Sequence, residues 1–454
     1  MIKFFMFKKI EVWIVLLIFL FWILITLLFG GILRDAYLSK NKTSENIREF
    51  SVFLSEVPKT VYKLITTYFD INKPPILSRH SDKPRFKRFL KNHREALLIL
   101  PRYDGNLRRS VVEIIDFNTF EVLHTYKHDI KSMNEMIDTS KEEHNKIKID
   151  HSTIRFQYRH PLILDDGSLI SDGDYTPLFK IDFCSNLLWI NQKERFHHSK
   201  ELDQNDGNIW VSAQMFPYSD LVKKSYSTKF GFNDDAIAKI SSEGEIIFIK
   251  SIIEILIENN IIGEVIFVQS NDPIHLNDIE PTFKTTEYWN KGDLFISIPK
   301  QYAIIHYRPS TNKIINYIRG PFYAQHDVDI ISNKEISIFN NNNSILKKSK
   351  YSEILIYNFE TKTFTKKFNE KLIKENFKTH SQGLSEILKD GSMLLEEQNH
   401  GRLIFFNNQG EKEWEFVNKD DKGNIYLISW SRVIEDKELI DKLKHKINDN
   451  TCQN

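Results

Sequence analysis

The sequence predicts an all-β protein, a six-bladed β-propeller preceded by an N-terminal transmembrane helix and a short helical stalk. Three observations carry that prediction. From Ala96 onward, short apolar runs alternate with turn residues, the pattern of an all-β array. The runs recur as a unit with a period of roughly 45 to 60 residues, which favours propeller blades over a sandwich. Ahead of them, Val12 to Leu33 contains no charged residue, long enough to span a hydrocarbon core of about 30 Å as a helix.

The anchor is expected over residues 1–33. A cleaved signal peptide would have a shorter apolar stretch and a small-residue cleavage site, and none follows before Arg34. Lys3, Lys8 and Lys9 precede the span, while Arg34, Lys40, Lys42 and Arg48 follow it. Large C-terminal domains translocate largely regardless of such charge, so the expected topology is single-pass, N-terminus cytoplasmic and propeller periplasmic or otherwise extracytoplasmic. A helical stalk and linker are expected over 34–92. Phe50, Phe53, Leu54, Val57, Val61 and Leu64 recur at helical spacing until Pro74-Pro75. The basic run Arg79 to Arg94 reads as a solvated or membrane-proximal face, with a rim that steers anionic substrates as the alternative.

The propeller is expected over 93–435. One unit runs Val111 to Asp116 and Phe120 to Tyr126, and the next holds Gly167 to Ile170, Leu178 to Asp182 and Asn186 to Ile190. Others begin at Gly292, Glu335 and Gly391, and Ala236 to Ile249 is a partial sixth. Ring closure removes the unpaired edges of an open sheet. A C-terminal helix and tail complete the chain over 436–454.

The 454 residues are 41% hydrophobic and 13% aromatic, enough to bury a large core. With 62 basic and 61 acidic side chains the net charge is +1, so no global field recruits nucleic acid. Cys184 and Cys452 build no disulfide framework, and an isolated bridge between them is left open. The chain lacks a G-x-S-x-G elbow, a phosphate-binding glycine loop, a paired C-x-x-C site and H-x-H or H-E-x-x-H spacing, so neither a metal nor a cofactor is expected.

The chemistry is expected from histidine. His198, His275, His326 and His380 each stand just upstream of a turn and an apolar strand, namely Gly207 to Val211, Gly292 to Ile296, Lys334 to Ile338 and Gly391 to Leu395. Side chains at matching positions of successive blades meet at the mouth of the central channel even when ~50 residues apart. A lone histidine near a strand is usually structural, but a series in one register points to a shared site. In Gln325-His326-Asp327 an imidazole stands between an amide and a carboxylate, after the Gly320-Pro321-Phe322 turn.

At these residues the chain resembles the bacterial arylsulfate sulfotransferases. Gly292 to Ser297, Ala303 to Tyr307, Gln325-His326-Asp327-Val328 and Ile338-Phe339-Asn340-Asn341 resemble the family's strands with its "QHDV" and "LFDNG" motifs. Glu396 to Arg402 and Gly410 to Phe416 are similar to its C-terminal blades, and His197-His198 and Pro273 to Asp278 to its earlier histidine motifs. The resemblance covers about residues 160 to 435. It implies a six-bladed propeller that moves a sulfuryl group from a phenolic sulfate ester to a phenol-type acceptor, through a sulfohistidine and without a nucleotide donor. It also implies His400 as nucleophile and His198, His275 and His326 as sulfuryl-binding or proton-transfer groups; Asn341 and Arg402 are the substrate-binding candidates, with a surface strand arginine as the alternative reading of Arg402. Neutral imidazole is nucleophilic near pH 7, and a second imidazole can take the acceptor's proton.

The chain also departs from the family. Where the pattern has arginine soon after "FDNG", this sequence has Asn340 to Asn343 and then Lys347, Lys348 and Lys350, and an ammonium lacks the planar fork of arginine. Arg402 is the candidate for the missing charge. If that role is empty, the alternative is a catalytically silent membrane-anchored propeller that binds an anionic or sulfated ligand or a protein partner.

Overall fold

The computed structural model describes residues 11–37, 44–70, 75–91, 93–141, 143–144, 147, 152–173, 176–225, 232–261, 271–343, 351–449 and 452. Lys347, Lys348 and Lys350 therefore lie outside the described residues, as do Lys3, Lys8, Lys9, Lys40 and Lys42. Two compact units emerge, residues 1–71 and 72–454.

The first unit contains helix α1 (Val12–Tyr37) and helix α2 (Glu45–Asp70). No charge interrupts α1 before its last turn, and its apolar side chains are exposed. It is long and apolar enough to cross a membrane. Phe50, Phe53, Leu54, Val57 and Val61 of α2 are also exposed.

The second unit is a ring of six antiparallel sheets. Blade 1 holds β2 (Leu97–Asp104), β3 (Arg109–Asp116) and β4 (Val122–Tyr126), and blade 2 holds β5 (Arg159–Ile163) to β8 (Leu187–Asn191). Blade 3 runs from β9 (Arg195–Leu202) through β10 (Ile209–Gln214) and β11 (Asp235–Ile240) to β12 (Ile246–Ser251). Blades 4 and 5 run from β13 (Asp278–Pro281) to β16 (Lys313–Arg319) and from β17 (Val328–Ile330) to β20 (Thr363–Lys366). Blade 6 holds β21 (Leu384–Ile387), β22 (Met393–Glu397), β23 (Arg402–Phe406) and β24 (Lys412–Val417). The fragment Ala236 to Ile249 supplies the outer strands of blade 3, whose second strand is the run after Gly207. The six-bladed propeller predicted from the sequence is the observed architecture.

The innermost strands β5, β9, β13, β17 and β21 run the same way around the channel, and β25 (Arg432–Ile434) is the sixth. β25 pairs with β2, Leu97 opposite Ile434 and Ile99 opposite Arg432. The two ends of the repeat array thus share blade 1, and no inner edge is left open. Middle strands such as β22 and β23 are buried along their whole length, because both faces of a blade pack against neighbouring sheets. Carboxylates on inner strands fasten each blade to the next. Asp278 accepts from the Val328 N–H at 2.8 Å, Asp327 from Ser385 at 2.9 Å and Glu386 from Val433 at 2.8 Å.

Two features go beyond the sequence reading. The basic run after Arg79 lies along blade 6, with Arg85, Lys87 and Lys91 exposed to solvent and other members paired with the blade. β1 (Phe86–Arg88) adds a fifth strand to β24, Lys83 pairs with Glu415 at 2.6 Å, and Arg94 pairs with Asp390 and Glu435. At the other end of the chain, helix α7 (Lys437–Asn448) buries Ile440 and Leu443, and Cys452 is disulfide-bonded to Cys184, which closes the question the two cysteines left open. The shorter helices are α3 (Ile130–Glu135), α4 (Asp220–Ser225), α5 (Ile252–Glu258) and α6 (Asn369–Lys374).

Candidate active site

Each blade places one residue with positive φ close to the start of its innermost strand. These are Trp430 (φ 64°), His160 (40°), His198 (49°), His275 (55°), Ala324 (54°) and Gly383 (141°), from blade 1 to blade 6. Non-glycine residues seldom adopt this conformation, and histidine is among those that tolerate it. Five occurrences at one repeat position mark a built feature, since such strain persists only where the surroundings impose it.

The left-handed residues form a wall of rings at one mouth of the channel. His160 stacks on Trp430 with centroids 4.0 Å apart, His160 and His198 are 5.6 Å apart, and His198 and His275 are 5.4 Å apart. His197 and His198 face each other through their Nδ1 atoms at 2.6 Å, so one of the two nitrogens carries the proton. His326, two residues past Ala324, is close enough to His275, His198 and His160 for their charges to interact.

Burial holds most of these rings neutral. It pushes His160 and His198 well below the ordinary histidine value, and it brings His326 down to about 4. His275 goes the other way. Its burial opposes charge, but the hydrogen bond to Asp272 at 2.5 Å and that carboxylate's charge outweigh it and raise the pKa. One imidazole whose charged form is favoured therefore stands among rings held neutral.

The tautomer of His326 follows from its neighbours. The Asn341 amide donates to the Thr379 and Gln382 carbonyls at 3.1 and 3.0 Å, so its Oδ1 is turned to His326 Nδ1, 2.7 Å away. Nδ1 carries the proton and Nε2 the lone pair. Nε2 has no hydrogen-bond partner among the described residues, although the Ser381 carbonyl lies beside the ring.

His400 occupies a neighbouring cluster on the same face. Glu396 pairs with Leu384, so the turn after β22 comes back to the level at which β21 begins, and His400 sits in that turn. Its ring is 5.7 Å from His380 and 6.2 Å from His80. Burial, with nearby Arg79, His380 and His80, brings its pKa down to about 4 against the pull of Glu397, and Nε2 lacks a hydrogen-bond partner among the described residues. The 379–382 loop links the clusters. It receives Asn341 on the His326 side, while Asn399 Oδ1 accepts from Thr379, His380 and Ser381 on the other.

The structure thus brings His198, His275 and His326 together and puts His400 across one loop from them. The two substrate-binding candidates are turned toward protein. Arg402 is fully buried, 2.8 Å from both Glu375 and Glu415 and 3.3 Å from Glu397. Asn341 is buried between His326 and two carbonyls. Sequence reasoning missed His160, Trp430, Asp272, Arg79 and His80. His160 was within reach, since it precedes Gly167-Ser168-Leu169-Ile170 in the register that singled out the others. Among the described residues no group of His, Cys, Asp or Glu is arranged to hold a metal ion.

Comparison with known proteins fits this arrangement. A solved protein of unknown function from Bacteroides caccae aligns at 11% identity over 75% of this chain and 100% of its own, with a TM-score of 0.46. A streptogramin B lyase aligns at 8% identity over 77% and 97% of the two chains, with a TM-score of 0.40. A catalytically inactive virginiamycin B lyase from Staphylococcus aureus aligns at 12% identity over 59% and 72%, with a TM-score of 0.35. These likenesses are too distant to carry an argument. No curated protein matches the sequence. The family model of arylsulfotransferase (ASST) matches residues 160–419, more than half of the chain, and the chain belongs to that family.

Proposed function

We propose that the protein transfers a sulfuryl group from a phenolic sulfate ester to a phenol-type acceptor by two displacements at the histidine mouth of the channel. One observation carries this reading. Two neutral imidazoles, His326 and His400, hold buried Nε2 atoms without a hydrogen-bond partner among the described residues, near His275, whose charged form is favoured, and Arg79.

In the first half, the His400 Nε2 lone pair attacks sulfur. The N–S bond forms as the S–O bond to the aryl group breaks, and the phenolate leaves with the bonding pair and takes a proton from His275. In the second half, the acceptor phenol gives its proton to His326 Nε2 and its oxygen attacks sulfur, so the N–S bond breaks and His400 regains its lone pair. Passage of the proton from His326 to His275 restores the starting state. Positioned acid and base groups of this kind each contribute about 10²- to 10⁴-fold. Asn341 acts by fixing the His326 tautomer, and Arg402 by holding Glu397 behind the His400 turn. The disulfide supports an extracytoplasmic propeller, because such bonds persist in oxidising compartments.

The test is release of 4-nitrophenol from its sulfate ester by the full chain in detergent, with and without added phenol. Phenol should stimulate release, and His400→Ala and His326→Ala should each lower the rate by about 10²-fold or more. Protein quenched in base should carry a base-stable, acid-labile sulfuryl adduct on His400. A folded protein that releases nothing, or a His400→Ala variant as fast as the parent, would end this reading.

A further inference from the structure

A histidine that receives a sulfuryl group needs positive charge beside the sulfuryl oxygens, because charge on them must be stabilised as bonds exchange. Among the described residues, the groups that act most strongly on His400 are Glu397, Arg79, His380 and His80. Glu397 is already engaged. It is fully buried, bonded to His80 Nε2 at 2.7 Å and to the Lys378 N–H at 2.5 Å, and paired with Arg402 at 3.3 Å. Arg402 is spent on three carboxylates. Arg79 is different. Its guanidinium donates to the Asn376 and Lys378 carbonyls and lies 3.7 Å from Glu397, yet 23% of the side chain remains exposed. Five N–H donors are more than those contacts consume.

The segment is built to present this residue. His80 has φ 67° in the turn that begins at Arg79. That turn is held on one side by Lys419, which donates to the Ser81 and Lys83 carbonyls, and on the other by the Lys83–Glu415 pair. Leu77 bridges to Ile425 just before it. The chain between the apolar helix and the first blade is thus fastened across blade 6 at several points, and the residue it delivers stands beside the one imidazole turn that no inner strand serves.

We propose that Arg79 is a catalytic residue that binds the sulfuryl oxygens at His400, so that a segment outside the six repeats completes the active site. The proposal rests on the sulfuryl-transfer reading above. It also explains how the family chemistry survives without an arginine after Asn340–Asn343: the fork comes from the other end of the chain. Lysine at this position would keep the charge and lose the paired donors.

The experiment uses the full chain in detergent and two readouts, the Kd of inorganic sulfate by calorimetric titration and the turnover of 4-nitrophenyl sulfate. Arg79→Ala should weaken sulfate binding roughly tenfold or more, as loss of charge-assisted hydrogen bonds does, and lower kcat/KM in parallel. Millimolar guanidinium should restore part of the rate, and Arg79→Lys should fall between. Arg79→Ala that binds sulfate like the parent overturns the proposal, whatever the turnover shows. A parent that binds sulfate through Arg79 but turns nothing over overturns the sulfuryl-transfer reading alone, and a parent that does neither overturns both. If Arg79→Ala fails to fold, Arg79→Lys decides: sulfate affinity equal to the parent's counts against the fork.

Discussion

At the scale of single residues, the site works by dividing one residue type into two charge states. His326 and His400 are held near pKa 4 by burial, while Asp272 holds His275 above its ordinary value. The sign of the pH dependence follows. A base with a depressed pKa stays available as pH falls, so the acidic limb of kcat/KM should lie well below the ordinary histidine value of about 6.5. The alkaline limb should follow the acid His275 and lie above that value. Asp272, Asp235 and Lys300 are the charges that act most strongly on His275, with His198 and His326 also beside it, and Asp272→Asn removes the hydrogen-bonded negative charge. The alkaline limb should then move to lower pH while the acidic limb stays; a profile unchanged in both limbs would detach His275 from the proton transfer.

At the scale of elements, what could be read from the sequence is what repeats. His198, His275 and His326 were visible because each precedes a turn and second strand by fewer than twenty residues, and the fold converts that repeated order into adjacency. Trp430 was hidden by the closure of the ring: its blade continues at β2, more than 300 residues earlier in the chain, so no local register surrounds it. Arg79 and His80 belong to no repeat, and a basic run looks the same whether it faces water or a blade. The partners that determine it, Glu397, Glu415 and Asp390, are some 300 positions away. Arg402 failed for the opposite reason. Its strand was predicted, but nothing local reveals that Glu375, Glu397 and Glu415 surround it.

Helix α7 gives this scale its own prediction. It buries Ile440 and Leu443 against a core that includes Tyr126 and Phe179 of blades 1 and 2, and the disulfide fastens the chain just beyond it to the turn at Cys184. A bond between residues 268 positions apart restricts the unfolded chain strongly, and such cross-links contribute about 2–4 kcal/mol. Cys184→Ser with Cys452→Ser should therefore lower the urea midpoint while leaving 4-nitrophenyl sulfate turnover in native buffer near the parent's. An unchanged midpoint, in protein shown by mass to be oxidised, would mean that the helix is held by its apolar face alone.

At the scale of the whole molecule, the channel is polarised along its axis. Following the inner strands about 10 Å from the histidine mouth, three residues at about 3.3 Å each, leads to Glu201, Glu280, Asp329 and Glu386, which line a cavity of about 440 Å³ with Arg432. Arg432 is paired with Glu201 at 2.6 Å, and its charge only partly offsets the crowding of Asp329 and Glu386. Burial, then mutual repulsion, raises Asp329 to about 8, and burial raises Glu386 to about 7. A carboxyl whose folded pKa is raised contributes stability that is fully present below its unfolded value, about 4, and lost as pH rises through the folded value. The neutral channel histidines act in the opposite sense, but only below about 6.5, where the unfolded chain takes up protons that the folded one refuses. Between pH 6.5 and 8.5 the carboxyls and His275 remain, and both lower stability as pH rises. The urea midpoint should fall across that interval, and Asp329→Asn, which stays neutral at every pH, should flatten the fall without shifting the alkaline limb of turnover. A slope that Asp329→Asn leaves unaltered would assign the effect to His275 and the other raised carboxyls, Glu386 among them, and leave Asp329 without a part in the pH response.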